Sequence, residues 1–260
     1  MLCSLISGSS GNASLVSYNG TNILIDCGMS CKRLEKQLER LGLSGNNISA
    51  ITVTHEHIDH ISGIGAVSRK YDIPIYATEQ THYAMKIGNI KSSNIRIIEP
   101  DRLFEIDGIG VNAFSIPHDA AAPVGYRFIA GGKKYSVATD IGLMTNVIFD
   151  SLSGSESIIL EANHDINMLK NGRYPEHLKE RILSSSGHMS NDVCAQTALA
   201  LAKRGTKRIM LAHLSEENNT PSLAYDTVKS QLKNAGDVEL VVADRYEVTL
   251  FDKHKHYLRG

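Results

Sequence analysis

Residues 54–60 read Thr-His-Glu-His-Ile-Asp-His. Three imidazoles and the Asp59 carboxylate sit between positions 55 and 60, and each is a group that binds divalent metals. A satisfied cluster of loop residues would explain one such histidine; four ligand-type side chains in this spacing point to metal. His55 and His57, two apart, can share one ion. Asp59 and His60, offset by a turn, more naturally face a second. Neutral imidazoles with few carboxylates suit zinc, manganese or iron(II) better than calcium or magnesium.

The elements around the motif set its place. Residues 51–54 are short, apolar and β-branched, and read as a buried strand; residues 61–67 read as the opening of a helix. The histidines are therefore expected on a loop at the C-terminal end of a strand, where layered α/β folds commonly bind ligands. Two metals need further ligands, and the same arrangement recurs. Strand-like runs end at His118 (after 111–116), at Asp140 (after 135–138) and at His213 (after 209–212). A fourth, 22–25, ends at Asp26, shortly before Gly28.

Asp26, His55/His57/Asp59/His60, His118, Asp140 and His213 match, in order, the five motifs of the metallo-β-lactamase superfamily, and the resemblance spans nearly the whole chain. It implies an α/β fold: an αββα sandwich of two mixed sheets flanked by helices, with a dinuclear site in the cleft. By the same resemblance the first metal takes His55, His57 and His118, and the second takes Asp59, His60 and His213. Asp140 bridges them and Asp26 supports the histidine loop. The implied cofactor is a pair of divalent ions, manganese or zinc, with iron also compatible.

Composition agrees with such an enzyme. The 260 residues are 42% hydrophobic and carry a formal net charge of −1, so a sizeable core is expected and a globally basic nucleic-acid coat is not. No apolar run is long enough to span a membrane and no secretory leader is legible, which gives a cytoplasmic expectation. The four cysteines fit a reducing compartment, and the Cys27/Cys31 pair, with no second pair, reads as incidental. No linker, low-complexity tract or internal repeat is found, so residues 1–260 are expected to form a single domain without an insertion. Further strands are expected at 3–6, 13–18, 75–77, 95–98, 103–106 and 157–160, and a hairpin at 124–129 and 135–138. Helices are expected at 32–41, 192–203 and 223–234.

Four further segments narrow the reading. Gly187-His188-Met189-Ser190-Asn191, then His213-Leu214-Ser215 with Asn218-Asn219, resemble the phosphodiesterase side of the superfamily. With the Ser7–Asn12 loop and Glu161-x-Asn163-His164 they resemble the bacterial YycJ/WalJ group of 5′→3′ exonucleases on double-stranded DNA. The nucleophile implied is a hydroxide bridging two metals, oriented by Asp59, since coordination lowers the pKa of water from about 15.7 to about 7. His188 resembles the family's general acid; the bland alternative is a loop histidine beside a helix start. Ser9, Ser10 and Asn12 offer phosphate contacts or form a plain hairpin turn. Ser190 and Asn191 are substrate contacts or an N-cap, and His164 is a phosphate contact or an extra ligand. DNA is the expected partner, and the oligomeric state is left open. Hydrolysis of small or cyclic phosphodiesters, or of thioesters or lactones, is the alternative on the same site.

Overall fold

Strands and helices follow one another along the chain in the computed structural model, which describes residues 1–252. The first part forms β1 (Leu2–Ile6), β2 (Ala13–Tyr18), β3 (Thr21–Ile25), α1 (Cys31–Glu39), β4 (Ala50–Thr52), α2 (Ile58–Ile61), α3 (Ile64–Tyr71), β5 (Ile75–Ala77), α4 (Glu79–Ala84) and β6 (Ile95–Ile97). Then come β7 (Leu103–Ile106), β8 (Ile109–Ser115), β9 (Val124–Ala130), β10 (Lys133–Ala138), α5 (Asn146–Leu152), β11 (Ser157–Glu161), α6 (Ile166–Asn171), α7 (Glu176–Leu183) and α8 (Asn191–Lys203). β12 (Arg208–Ala212), α9 (Pro221–Leu232), β13 (Glu239–Val242) and β14 (Thr249–Leu250) complete it.

Two seven-stranded mixed sheets result, in the orders β14-β1-β2-β3-β4-β5-β6 and β13-β12-β11-β10-β9-β8-β7. Side-chain alternation along each strand then produces three apolar layers. Ile23 and Ile25 of β3 face inward to meet Val111, Phe128, Ile159 and Met210 of the other sheet. Leu24, between them, faces outward with Leu34 and Leu38 of α1 and Val67 of α3. On the far side Ile158, Leu160, Ile209 and Leu211 point out against α5, α8 and α9. Helix, sheet, sheet, helix is the αββα sandwich.

Strand direction fixes where chemistry can sit. β3 and β4 are parallel, as are β10, β11 and β12. β8 is antiparallel to β9, which is antiparallel to β10, so β8 and β10 run the same way. The C-terminal ends of β8, β10, β11 and β12 therefore share one edge of their sheet, as those of β3 and β4 do in theirs. One difference from the expected layout matters. The run 61–67 does not open one helix, because the chain coils earlier: His60 N–H donates to His57 O at 2.9 Å, which starts α2 inside the motif. Asp59 and His60 thus stand on a helical turn, and only His55 and His57 precede it.

Candidate metal centre

Asp26 and His213 directly follow β3 and β12, and Asp140 lies two residues after β10. All three have left-handed backbones, with φ of 58°, 57° and 61°. A residue with a side chain rarely adopts that region, and Asp and His are among those that tolerate it, at a cost of order 1–3 kcal/mol. The turn swings each side chain off its strand, Asp140 and His213 to the cavity wall and Asp26 behind His60. It is held in place by Asp26 N–H donating to Thr52 O (2.9 Å) and His213 N–H donating to Ser7 Oγ (2.7 Å).

Four groups of potential ligands meet there. His55, His57 and His118 form one, Asp59, His60 and His213 another, and His55, His60 and Asp140 a third, the ligand atoms of each within 4.8 Å of one another. The fourth is Asp140, Glu161, His188 and His213. Asp140 lies between the first two triads: its Oδ2 is 3.4 Å from His60 Nε2, and its Oδ1 is 3.8 Å from His118 Nε2. Asp59 Oδ2 is 3.5 Å from both His60 Nε2 and His213 Nε2.

The ring orientations follow from what lies behind each imidazole. Thr54 Oγ donates to Asp26 Oδ2 (2.6 Å), so its lone pair accepts from His55 Nδ1 at 3.0 Å. His60 Nδ1 donates to the same Asp26 oxygen at 2.8 Å, and His118 Nδ1 to Gly187 O at 3.2 Å. His213 Nδ1 donates to Glu161 Oε1 at 3.0 Å. With Nδ1 spent in this way, Nε2 is the atom that each of the four rings presents to the cleft, the arrangement that orients metal-binding histidines. The loop itself is clamped from below. Asn12 N–H donates to Asp59 O and Gly28 N–H to Asn12 O, both at 2.8 Å. A Cβ on Gly28 would stand 1.6 Å from Asp59 O, so only glycine allows this approach.

Charge and burial show whether ions fit. His55 Nε2, His213 Nε2 and Asp140 Oδ2 are buried and make no hydrogen bond. Burial opposes ionisation of Asp140, yet the imidazoles of His213 and His60 hold its carboxyl well below the usual range. Burial opposes charge on His213 too, but Asp140, Asp59 and Glu161 raise it to about 10; His60, equally buried, is also held well above the usual imidazole range by Asp140 and Asp26. Protons on these rings thus balance the buried carboxylates. Lone pairs from imidazoles and carboxylates aimed at shared points are what divalent cations require, so the donor set fits two such ions.

Glu161, at the end of β11, was named from sequence only within the 161–164 segment and given no role at the site; its available signal was a carboxylate closing an apolar strand, as at the other strand ends. It is fully buried. Its carboxylate accepts from His188 Nδ1 (2.8 Å), His213 Nδ1 (3.0 Å), Ile141 N–H (2.8 Å) and Met189 N–H (2.9 Å). His188 lines a cavity of about 240 Å³ with Ser9, His57, Asp59, Asp140 and His213. Burial disfavours charge on His188, but Glu161 and Asp140 raise its pKa.

The remaining residues named from sequence are placed differently. Ser9 faces the cavity, and Ser10 is exposed beside it without lining it. Asn12 is buried under the loop, its Nδ2 donating to Asp59 Oδ2 at 3.2 Å. His164, Ser190 and Asn191 are buried and do not line the cavity. Ser190 Oγ caps α8 through Val193 N–H, and Asn191 pairs its amide with Asn219 at 2.9 Å. Burial pushes His164 down to about 4. His177 is exposed and His82 half-buried; His254 and His256 lie outside the described residues. Of the basic residues at 69–70, 173, 203–204 and 207–208, none lines the cavity, and Arg208 is buried against Ser157 and Glu156. Among the described residues no helix is long and apolar enough to cross a membrane.

A family model for the beta-lactamase superfamily domain matches residues 21–214. Exodeoxyribonuclease YycJ of Bacillus anthracis is 39% identical over 234 residues, covering 89% of this chain and 89% of that protein. Exodeoxyribonuclease WalJ of Streptococcus pneumoniae serotype 2 is 37% identical over 235 residues, covering 89% and 87%. Among solved structures, the metallo-β-lactamase-fold protein YhfI of Bacillus subtilis superposes with a TM-score of 0.69 at 17% identity, over 96% of this chain and all of that one. Zinc-bound PqqB of Methylobacterium extorquens gives 0.70 at 17% identity, over 96% and 99%; likenesses this distant speak for the fold alone.

Proposed function

The chain belongs to the metallo-β-lactamase superfamily, with WalJ and YycJ among its relatives, and on that footing we propose that this hydrolase is a dinuclear metal-dependent exonuclease. Its substrate is double-stranded DNA, degraded from 5′ ends by one catalytic domain in the cytoplasm. The observation that carries the reading is the pairing of two ligand triads across Asp140 with an imidazole, His188, that is backed by a buried carboxylate. A thioester expels a thiolate and needs no such proton donor, whereas the alkoxide leaving from a phosphodiester does.

In this reading His55, His57 and His118 would hold one ion and Asp59, His60 and His213 the other, with Asp140 serving both; manganese or zinc would suit the donors, with iron compatible. When bound, such a pair polarises a phosphate and brings the pKa of water from about 15.7 to about 7. Asp59, half in the cavity, orients the attacking water and takes up its proton. Asp26 and Thr54 keep His55 and His60 from turning, so the ligand geometry is set before substrate arrives. Glu161 holds His188 by Nδ1 and favours its protonated form; Nε2–H then donates to the leaving oxygen. The compact cavity suits a strand end, because an interior phosphate would require the duplex to bend or unpair, at a cost of a few kcal/mol.

The test uses protein loaded with manganese or zinc and duplex DNA labelled at 5′ or 3′ ends. Linear duplex should lose 5′-label first, while covalently closed circles of the same sequence resist. Rapid cutting of closed circles, or no action on DNA beside fast thioester hydrolysis, would overturn the proposal.

A further inference from the structure

The catalytic cavity is acidic. Asp59, Asp119 and Asp140 line it, and Arg181, its one lining arginine or lysine among the described residues, is already paired with Asp119. With a net charge of −1, the chain needs cations close by if it is to hold the rest of a DNA strand. A second cavity of about 450 Å³ adjoins the first; Ser215 lines both, with Ser7 on this side and Ser9 on the other. Arg245 lies across the intervening loop: a Cβ on Gly8 would stand 3.4 Å from Arg245 Nε. The Arg245 side chain is only 25% exposed, and its Nη1 reaches Glu216 Oε1 at 2.8 Å.

The next residue is aromatic and open. Tyr246 is 53% exposed, with the Arg33 guanidinium 5.4 Å from its ring centroid. The turn beneath is fixed. Asp244 Oδ1 accepts from Tyr246 N–H (2.7 Å) and Glu247 N–H (2.9 Å), and Gln37 Nε2 donates to Tyr246 O (2.7 Å). A rigid turn that presents a guanidinium and a ring side by side, one loop away from the candidate metal ligands, combines the two contacts by which nucleic-acid strands are held: phosphate to cation and base to aromatic face.

We propose that the turn over residues 244–247 is a second nucleotide subsite, taking one phosphate on Arg245 and one base on Tyr246 from the strand that adjoins the scissile bond. The proposal rests on the exonuclease reading and extends it. Glu216 tempers the subsite by occupying Arg245 until a phosphate displaces it.

Metal-loaded wild type and variants are compared on 5′-phosphorylated duplex DNA and on thymidine 5′-monophosphate p-nitrophenyl ester, a single nucleotide too short to reach the turn. Tyr246→Ala should raise KM for DNA about 5–150-fold, the span of base stacking, with Tyr246→Phe close to wild type. Arg245→Ala should raise KM comparably and lower the salt slope by about 1. Glu216→Gln should lower KM for DNA, a gain that a structural role for the ion pair would not produce. The ester should be hydrolysed alike by all. Unchanged KM for DNA in Arg245→Ala and Tyr246→Ala, or equal losses on the ester, would overturn the subsite alone. A wild type that cleaves the ester and no DNA would overturn the exonuclease reading and the subsite with it.

Discussion

Replacing Glu161 by glutamine changes one atom in a carboxylate that accepts four hydrogen bonds. One oxygen takes His188 Nδ1 and His213 Nδ1, and the other takes the amides of Ile141 and Met189. A glutamine offers one accepting oxygen and one donating NH₂, so whichever way it is turned it faces two donors with its own. If the NH₂ meets the two amides, two buried N–H groups lose their partners at about 1–3 kcal/mol each, or about 2–6 kcal/mol together. In a domain of this size that lowers the Tm by at least about 4 °C. If the NH₂ meets the rings, both must accept at Nδ1 and carry hydrogen on Nε2, and a protonated Nε2 on His213 cannot bind metal. Affinity should then fall about 10–100-fold. In either case His188 loses its carboxylate neighbour. Its raised pKa falls, so the alkaline limb of the rate profile, where the proton donor is lost, moves to lower pH. Thermal unfolding, chelator competition and the pH profile read the three effects. A Glu161→Gln protein with wild-type Tm, metal affinity and profile would refute the role given to this carboxylate.

Other expectations follow from the same geometry. His188→Ala should keep both metals and slow DNA cleavage about 10²–10⁴-fold, with a smaller defect on a p-nitrophenyl ester, whose leaving group needs no proton; equal defects, or metal loss, would make His188 structural or a ligand. Gly28→Ala should destabilise the histidine loop, seen as a lower Tm and weaker metal binding, because the new methyl collides with Asp59 O. Wild-type behaviour would show that the clamp is soft. His213, with its pKa raised to about 10, is protonated in the metal-free protein at neutral pH and must lose its Nε2 proton to bind an ion. Metal binding should therefore release protons and tighten as pH rises, which calorimetry in two buffers of different ionisation enthalpy measures.

How much was legible in the sequence depended on whether the signal was local. Asp26, Asp140 and His213 each close an apolar run, so strand ends alone marked where they would gather. The glycine pair at 131–132 marked the β9–β10 turn, and both residues adopt positive φ, 57° and 71°. The short helices α4 to α7 were not legible. α5 buries only Ile148 and Leu152, too few for a periodicity, and its start rests on the Thr145 cap. β14 is two residues long and exists by pairing with β1. The buried places of His164 and Asn191 were hidden for the same reason: their surroundings come from segments distant in sequence, such as 215–219. The left-handed turns at Asp26, Asp140 and His213 also had no sequence signal beyond residue type. Asp and His tolerate that region, and the ladder ending there demands it.

Two ions per chain, held on either side of Asp140, is the claim on which the rest depends. Anomalous diffraction from crystals of the manganese- or zinc-loaded protein tests it most directly. The account predicts two peaks, one among His55, His57 and His118 and the other among Asp59, His60 and His213, with Asp140 touching both. A single peak, or peaks away from these residues, would contradict it.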